Sequence, residues 1–202
     1  ADWISANRSN GGALKFVGVQ HYAGQVMHIA GHAARREKSL ICWKSAVSTC
    51  DALRAAGHTV SIVTGCGTGT YDIDCEVPQV TDLQVGSYVF MDQQYLDVGG
   101  RSGPILDDFE VSLTVATTAI SQPVRGMITV DCGFKGFASE SIAPTALDMP
   151  GANYRFAGDE HGMLILADGA QEPLLGERIT FVTPHCDPTV NLYDYYWVHR
   201  DG

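Results

Sequence analysis

The segment Thr183–Tyr193, TPHCDPTVNLY, places an imidazole, a thiol and a carboxylate side by side between two prolines. His185 and Asp187 are two residues apart, so in an extended chain their side chains point to the same side, opposite to that of Cys186. A neutral imidazole and a carboxylate suit a divalent cation such as Zn²⁺ or Mn²⁺. Two ligands leave positions open for water or substrate, as metal-assisted catalysis requires. A structural role for His185, without metal, is the alternative interpretation.

A second segment that could carry chemistry is the glycine-rich Gly65–Tyr71, GCGTGTY, which directly follows the β-branched run TVSIVT. Alternating glycines let the backbone approach a ligand closely and direct successive N–H groups into one concavity. Gly67, Thr68 and Gly69 therefore predict an anion site, because phosphates commonly bind at the carboxyl end of a parallel strand. The segment matches neither a Walker loop nor GxGxxG. A tight turn without a ligand is the alternative.

Three further positions support a phosphate site only in the right surroundings. Gly86 and Ser87, in the turn QVGSY, would add an N–H and a hydroxyl to the same phosphate if the two strand ends are neighbours. Otherwise they form an ordinary turn. Tyr22, in VQHYAG, is placed to stack on or hydrogen-bond to a bound ring, and a core position is the alternative.

The secondary-structure elements that must position these residues follow different patterns in the two halves of the chain. In the first half, a strand over Leu14–Gln20, a helix over about Ala30–Ala56 and a strand over Thr59–Thr64 predict a βαβ unit with a parallel sheet. Gly57 is placed to end the helix. So few βα units cannot close a sheet or cover both its faces, so the chain is expected to be part of something larger.

The second half consists of strand-like runs separated by Gly, Pro and Asp, which predicts an antiparallel β domain. The runs are SYVFM, FEVSLTVATTAIS, VRGMITVDCG, HGMLILADG and ERITFVTP. The boundary is expected in the loop Leu96–Asp108, which gives domains of 1–100 and 101–202. The predicted fold class is thus α/β plus β.

Composition limits the classes of function. The 202 residues are 45% apolar and 18% charged with a formal net charge of -10, which excludes disorder and disfavours binding to nucleic acid. No apolar run reaches membrane-spanning length, so no membrane association is expected. The N-terminus lacks a secretory signal, and the six cysteines contain no CxxC pair, so reduced thiols and a cytoplasmic location are expected.

Six motifs, in this order, resemble the family of D-threonine aldolases and 3-hydroxyaspartate aldolases, to which D-serine dehydratases are more distantly similar. The motifs are VQHYAG, VTGCGTGTYD, LQVGSYVFMD, VDCGFKGF, DEHG and PHCDPTVNLYD. The resemblance spans almost the whole chain. It implies the alanine-racemase fold, in which a TIM-type (β/α) barrel that binds pyridoxal 5′-phosphate precedes an antiparallel β domain. This chain would be the C-terminal part of the barrel with the β domain.

The resemblance also implies roles for individual residues. Five residues would hold the cofactor phosphate: Gly67, Thr68, Gly69, Gly86 and Ser87. Tyr22 matches a family tyrosine that lies close to the cofactor. His185 and Asp187 match the divalent-metal pair of the aldolases, with Mn²⁺, Mg²⁺ or Zn²⁺ as the ion, and would be catalytic through that metal. Dehydratase relatives have the pattern His-x-Cys, with cysteine in place of Asp187, and Cys186 is one residue out of register for it.

One departure from the family concerns its Schiff-base lysine, which precedes the region at which Ala1 begins. Lys15, Lys38, Lys44 and Lys135 do not match that lysine. We therefore expect a partial chain that requires the missing N-terminal half of the barrel.

The implied activity is cleavage of a β-hydroxy-α-amino acid, of the D-threonine or 3-hydroxyaspartate type, to glycine and an aldehyde. A small amino-acid substrate and a homodimer are expected. Two alternatives remain: a metal-dependent D-serine or 3-hydroxyaspartate dehydratase that yields a keto acid and ammonia, and a non-catalytic fragment that binds phosphate.

Overall fold

The computed structural model describes residues 1–9, 11–138 and 142–200. The chain forms two compact units that interleave along the sequence. The first comprises Ala1–Tyr88 and Val98–Leu106, and the second comprises Val89–Asp97 and the chain from Asp107 onward. The domain ranges 1–100 and 101–202 stay a prediction.

The first unit contains a three-stranded parallel sheet in the order β1–β2–β3, with a long helix between the first two strands. Its elements are α1 (Asp2–Ser9), β1 (Gly18–His21), α2 (His32–Ala55), β2 (Ile62–Gly65), α3 (Tyr71–Asp74) and β3 (Asp82–Leu83), with 3-10 turns at Gly24–Val26, Thr68–Thr70 and Ser87–Val89. The predicted βαβ unit with parallel strands is confirmed.

Helix α2 covers the sheet through one apolar face. Gly31, at φ 82, precedes the helix and Gly57, at φ 87, follows it, so both boundaries use a conformation that glycine adopts without strain. The helix buries three residues in its middle and second half: Trp43, Ala46 and Cys50. They share one cluster with residues in and around β2: Val60, Val63 and Val77. This packing fixes the sheet against the helix.

The strands are shorter than predicted. The expected strand Leu14–Gln20 begins only at Gly18, because Leu14 is 61% exposed and lies outside the sheet. Strand β1 passes so close to β2 that a Cβ at Gly18 would lie 1.8 Å from the carbonyl oxygen of Ile62. Only glycine permits this approach.

The second unit is a six-stranded antiparallel sheet in the order β6–β9–β4–β5–β8–β7. Its elements are α4 (Gln93–Leu96), β4 (Thr114–Val124), β5 (Met127–Val130), β6 (Thr145–Ala146), β7 (Asn153–Phe156), β8 (Gly162–Ile165), β9 (Arg178–Val182) and α5 (Cys186–Val190). Phe137, Tyr154 and Phe181 pack edge to face at its core, with ring centroids 5.6 Å apart. The predicted antiparallel β domain is confirmed.

One predicted strand is wrong. The run SYVFM contains the 3-10 turn Ser87–Val89, and Met91 follows it at φ 53, a left-handed conformation that a strand excludes. The backbone N–H of Tyr88 donates to a side chain, Oγ1 of Thr68, at 3.0 Å. The Tyr88 amide is therefore bonded to a side chain and not to the backbone of a neighbouring strand.

All six cysteines are free, as the sequence predicted. Within residues 1–9, 11–138 and 142–200, no helix has the length and apolar character needed to cross a membrane.

Candidate functional site

The first unit brings the two predicted glycine turns together. Strands β2 and β3 pair in parallel, Thr64 with Asp82 and Gly65 with Leu83, so their following turns leave the sheet at the same edge. The bond from the Tyr88 N–H to Thr68 then joins the turns directly. The residues after the two strands therefore form one local structure.

The glycines of these turns differ in the structural reason for which a glycine is needed. A Cβ at Gly69 would lie 2.0 Å from the carbonyl oxygen of Met27, and one at Gly67 would lie 2.7 Å from the Met27 Sδ. Both glycines therefore permit close packing on the turn after β1. Gly86 differs, because a Cβ there would meet nothing within 4 Å and its φ is not in the left-handed region. Neither packing nor conformation requires glycine at Gly86, whereas the close approach of a ligand would.

The turn after β2 is held from its buried side. Thr70 Oγ1 donates to Oδ2 of the buried Asp74 at 2.7 Å, and the Ser39 hydroxyl of helix α2 donates to the other carboxylate oxygen. Cys66, just before the turn, has φ 73, a strained conformation for a residue with a side chain. Such strain persists only where the surroundings over-determine it. The turn is thus pre-organised rather than an adaptable loop.

The same turn is tied to other loops by Arg35, which is 0% exposed. Its Nε donates to the Gly69 carbonyl at 2.5 Å, and its terminal nitrogens donate to main-chain carbonyls at 2.6–2.9 Å, those of Ile29, Val98 and Gly99. Burial lowers the pKa of the Arg35 guanidinium from its ordinary value, although the charge of Asp72 opposes this shift. No local pattern in the sequence points to this role of Arg35, because a helical arginine ordinarily lies in solvent.

Tyr22 lies beside the same turn with half of its side chain in solvent. It is 56% exposed, which excludes the alternative of a core position. A Cβ at Gly67 would lie 3.3 Å from Cε2 of the Tyr22 ring, so the ring covers this glycine. Open space at Gly86, the hydroxyl of Thr68 and the exposed ring of Tyr22 together suit an aromatic ligand with a phosphate group.

The second unit brings His185 and Asp187 together. Nε2 of His185 lies 3.6 Å from Oδ2 of Asp187, and both side chains are accessible, at 27% and 63% exposure. Two ligands about 2.1 Å from one ion in tetrahedral geometry would lie about 3.4 Å apart. The two atoms therefore fit a shared divalent cation with little movement.

The local backbone differs from the extended segment that the sequence predicted. His185 is extended, at φ -144 and ψ 119, but helix α5 begins at Cys186, so Asp187 lies in its first turn. The side chains still converge across this strand-to-helix change. The Cys186 thiol is buried and contacts Oδ1 of Asp187 at 3.4 Å, so it does not point wholly away as expected. Burial, together with the Asp92 and Asp187 carboxylates, raises the pKa of this thiol and keeps it neutral.

Asp92, which was not predicted as a site residue from the sequence, is a buried carboxylate that holds this segment. Its Oδ1 accepts the N–H of Tyr95 at 2.8 Å, and its Oδ2 accepts the N–H of Cys186 at 2.7 Å. An aspartate three residues before the capped amide is an N-cap signal, so the contact to Tyr95 was detectable in DQQY. The contact to Cys186 spans 94 positions and had no local signal.

Lys135 has a structural partner of its own. It forms an exposed ion pair with Glu160, which raises the pKa of the lysine ammonium. Two of the motifs singled out in the sequence, VDCGFKGF and DEHG, meet through this pair beside a cleft of about 230 Å³.

In the described part of the chain, no group of three or more His, Cys, Asp or Glu side chains is arranged to hold a metal.

Comparisons with known proteins agree with the motifs. A family model described as a putative serine dehydratase domain matches residues 112–199. D-threonine aldolase from Arthrobacter sp is 37% identical over 94% of this chain and 49% of its own length. 3-Hydroxy-D-aspartate aldolase from Paracoccus denitrificans is 31% identical, with the same coverage.

A solved structure shows the same architecture. The crystal structure of D-threonine aldolase from Filomicrobium marinum superposes with a TM-score of 0.85 at 33% identity, over 91% of this chain and 49% of that one. The chain thus spans about half the length of the relatives it matches, and both of its units follow the fold of these enzymes. The resemblance to the family of D-threonine aldolases and 3-hydroxyaspartate aldolases is thereby confirmed over almost the whole of this chain.

Proposed function

We propose that this chain carries the metal pair and the phosphate site of an aldolase that depends on pyridoxal 5′-phosphate and a divalent cation. The substrate would be a β-hydroxy-α-amino acid of the D-threonine or 3-hydroxyaspartate type, cleaved to glycine and an aldehyde. The expected small-molecule substrate and homodimer belong to the same proposal.

The observation that carries the proposal is the 3.6 Å approach of His185 Nε2 to Asp187 Oδ2. An imidazole nitrogen and a carboxylate oxygen suit Zn²⁺ or Mn²⁺, and two protein ligands leave positions for water and for a substrate oxygen. The carboxylate at Asp187 also favours cleavage over dehydration, since the dehydratase pattern has a thiol there. Cys186 does not replace it, because its side chain is buried, whereas those of His185 and Asp187 are accessible.

The phosphate site is supported by the paired turns of the first unit. The Thr68 oxygen accepts from Tyr88, which leaves the hydroxyl hydrogen for a phosphate oxygen. Gly86 adds open space, and Ser87 adds a hydroxyl beside it. Tyr22 would lie along the ring of the cofactor, which the exposed position of its side chain allows.

In the proposed reaction, the residues of this chain bind and orient. Pyridoxal 5′-phosphate, when bound, supplies an electron sink for the bond broken at Cα. His185 and Asp187 would hold the divalent cation, which would supply a Lewis acid that lowers the pKa of the substrate β-hydroxyl. Thr68 and Gly86 would hold the phosphate end of the cofactor and Tyr22 would lie along its ring, which together would set the position of its reactive end.

A dehydratase is the second candidate, favoured by the family model that matches residues 112–199, a range that includes both proposed metal ligands. It would use the same cation to help the hydroxyl group leave, and it would produce a keto acid and ammonia. The two activities therefore share every residue proposed above and differ in their products.

Product analysis with the whole protein tests the proposal. With D-threonine, D-phenylserine and D-3-hydroxyaspartate as substrates, we expect glycine and the matching aldehyde in equal amounts. Excess chelator should abolish turnover and added Mn²⁺ should restore it. Keto acid and ammonia as the main products would favour the dehydratase. Full turnover in His185→Ala would reject the role of the metal pair.

A further inference from the structure

The side chain of Asp92 joins two helices that are distant in sequence. Asp92 is 0% exposed and lies just before α4, in an extended conformation. Through Oδ1 it caps α4 at the Tyr95 amide, and through Oδ2 it accepts the first amide of α5, that of Cys186. One buried carboxylate thus satisfies a donor at the start of each helix, which neither helix can satisfy internally.

The backbone around this carboxylate strengthens the connection. The N–H groups of Gln93 and Gln94 donate to the carbonyls of Thr183 and Pro184 at 3.0 and 3.1 Å. The first amides of α4 therefore bond to the two residues that precede His185, while the Asp92 carboxylate bonds to the residue that follows it. His185 is held on both sides by α4.

The imidazole of His185 is not used as a helix cap. His185 occupies the N-cap position of α5, where a side chain ordinarily accepts the second or third amide of the helix, and its imidazole makes no such bond. Asp92 accepts the first amide, that of Cys186, so the start of α5 is anchored without the His185 side chain. Nε2 of His185 lies 3.6 Å from Oδ2 of Asp187.

We propose that Asp92 is a positioning residue for the His185–Asp187 cation pair, and that it acts by capping α5 from α4. The inference rests on the proposed function, because it assigns Asp92 to the same site. The Asp92 carboxylate bonds to the amides of Tyr95 and Cys186, so it would act through the backbone and not as a ligand of the cation. It sets the backbone from which the two ligands project, as outer-shell partners of metal ligands do.

Two variants separate the bond to α5 from the cap of α4. Asp92→Asn keeps the size of the side chain but cannot accept both amides as well as a carboxylate does. Asp92→Ser is a good N-cap for α4 and is too short to hold the Cys186 amide as well. Glu172→Gln is the matched control, because it removes one negative charge from the same unit at a carboxylate that also accepts a backbone amide, that of Gly126.

Hydrogen exchange and Co²⁺ binding, both measured on the whole chain where each variant is fully folded, give the two readouts. In the Asp92 variants we expect the Cys186 amide to exchange at least about tenfold faster, because a charge-assisted bond is lost. The dissociation constant for Co²⁺, followed by its visible absorption, should rise about 10–100-fold. Glu172→Gln should change neither.

Each other outcome counts against a distinct claim. Unchanged exchange at Cys186, or fast exchange of this amide in the unaltered chain if both variants fail to fold, would overturn the role of Asp92. Faster exchange with unchanged Co²⁺ affinity would overturn it as a positioning residue for the cation pair. If the unaltered chain bound no Co²⁺, the proposed function would fail, and hydrogen exchange would still decide whether Asp92 holds the segment.

Discussion

The hydroxyl oxygen of Thr68 accepts a hydrogen bond from the backbone N–H of Tyr88 at 3.0 Å. Thr68 is 2% exposed, so the bond is shielded from water, and it connects the turn after β2 to the turn after β3. A threonine hydroxyl accepts and donates at once. The same side chain therefore joins the two turns and would offer a donor to the proposed anion site.

Replacing Thr68 by valine keeps the shape of the side chain and removes both the acceptor of the Tyr88 N–H and the proposed donor to the phosphate. We expect a loss of about 1–2 kcal/mol in the free energy of unfolding, because the Tyr88 amide loses its acceptor. Binding of pyridoxine 5′-phosphate should weaken roughly tenfold for the lost donor. Urea unfolding and calorimetric titration measure the two effects. Thr49→Val, which removes an exposed hydroxyl bonded to the Ser45 carbonyl, should change stability by less than about 0.5 kcal/mol.

Gly86→Ala should weaken ligand binding, whereas Gly69→Ala should lower the stability of the fold. Gly86→Ala places its methyl group in open space, so stability should change by less than about 1 kcal/mol, while pyridoxine 5′-phosphate binding weakens. Gly69→Ala forces its methyl group against the Met27 carbonyl and should cost at least about 2 kcal/mol. Unphosphorylated pyridoxine serves as the reference ligand. Unchanged phosphate-ester binding in Gly86→Ala would remove Gly86 from the site.

Arg35→Met should destabilise the first unit strongly. The thioether chain fills much of the same space but removes the Arg35 donor from four main-chain carbonyls, of which that of Val98 keeps the N–H of Gly31. We expect a loss of about 3 kcal/mol or more in the free energy of unfolding. Arg54→Met, which removes an exposed ion pair to Asp51, should cost less than about 1 kcal/mol. Equal losses in both variants would contradict the role of Arg35.

The buried thiols should make the chain less stable at alkaline pH. Burial raises the pKa of Cys66 from 9.0 to about 12, so the unfolded chain ionises this thiol at lower pH than the folded chain does. The stability that it contributes is complete below about pH 9 and is lost as the pH rises towards 12. Cys66→Ala should flatten this decline in urea unfolding between these values. An unchanged slope would show that another group causes it.

Cysteine alkylation gives a second view of the same burial. Cys75 is exposed and should react with iodoacetamide first, whereas Cys50, Cys66 and Cys186 are buried and should react only after unfolding. Mass spectrometry of the partially labelled chain measures the order. Early labelling of Cys186 in the folded chain would contradict the burial of the α5 segment.

The parts of the fold that were predictable are those with a local signal. Strand-like runs separated by Gly, Pro and Asp indicated the antiparallel strands, and Gly57 marked the end of α2. The run SYVFM misled, because its β-propensity competes with a left-handed Met91 and with capture of the Tyr88 amide by Thr68. Propensity is a weak guide where a distant side chain takes the backbone donor.

The candidate site divides in the same way. His185 and Asp187 were recognisable, because their types and spacing are local, although the helix that begins between them was not foreseen. Asp92 and Arg35 were missed, because each acts on backbone groups that lie far away in sequence. A single sequence gives the ligand candidates more readily than the groups that hold them.

The central claim is that His185 and Asp187 hold one divalent cation, and binding of Mn²⁺ to the whole chain tests it most directly. Electron paramagnetic resonance of free Mn²⁺ gives the dissociation constant for the unaltered chain, His185→Ala, Asp187→Ala and the double variant. If both residues bind the same ion, each single variant should weaken binding roughly 100-fold or more, beyond the usual effect of an outer-shell residue, and the double variant should be little worse. Binding that is unchanged in both single variants would contradict the claim.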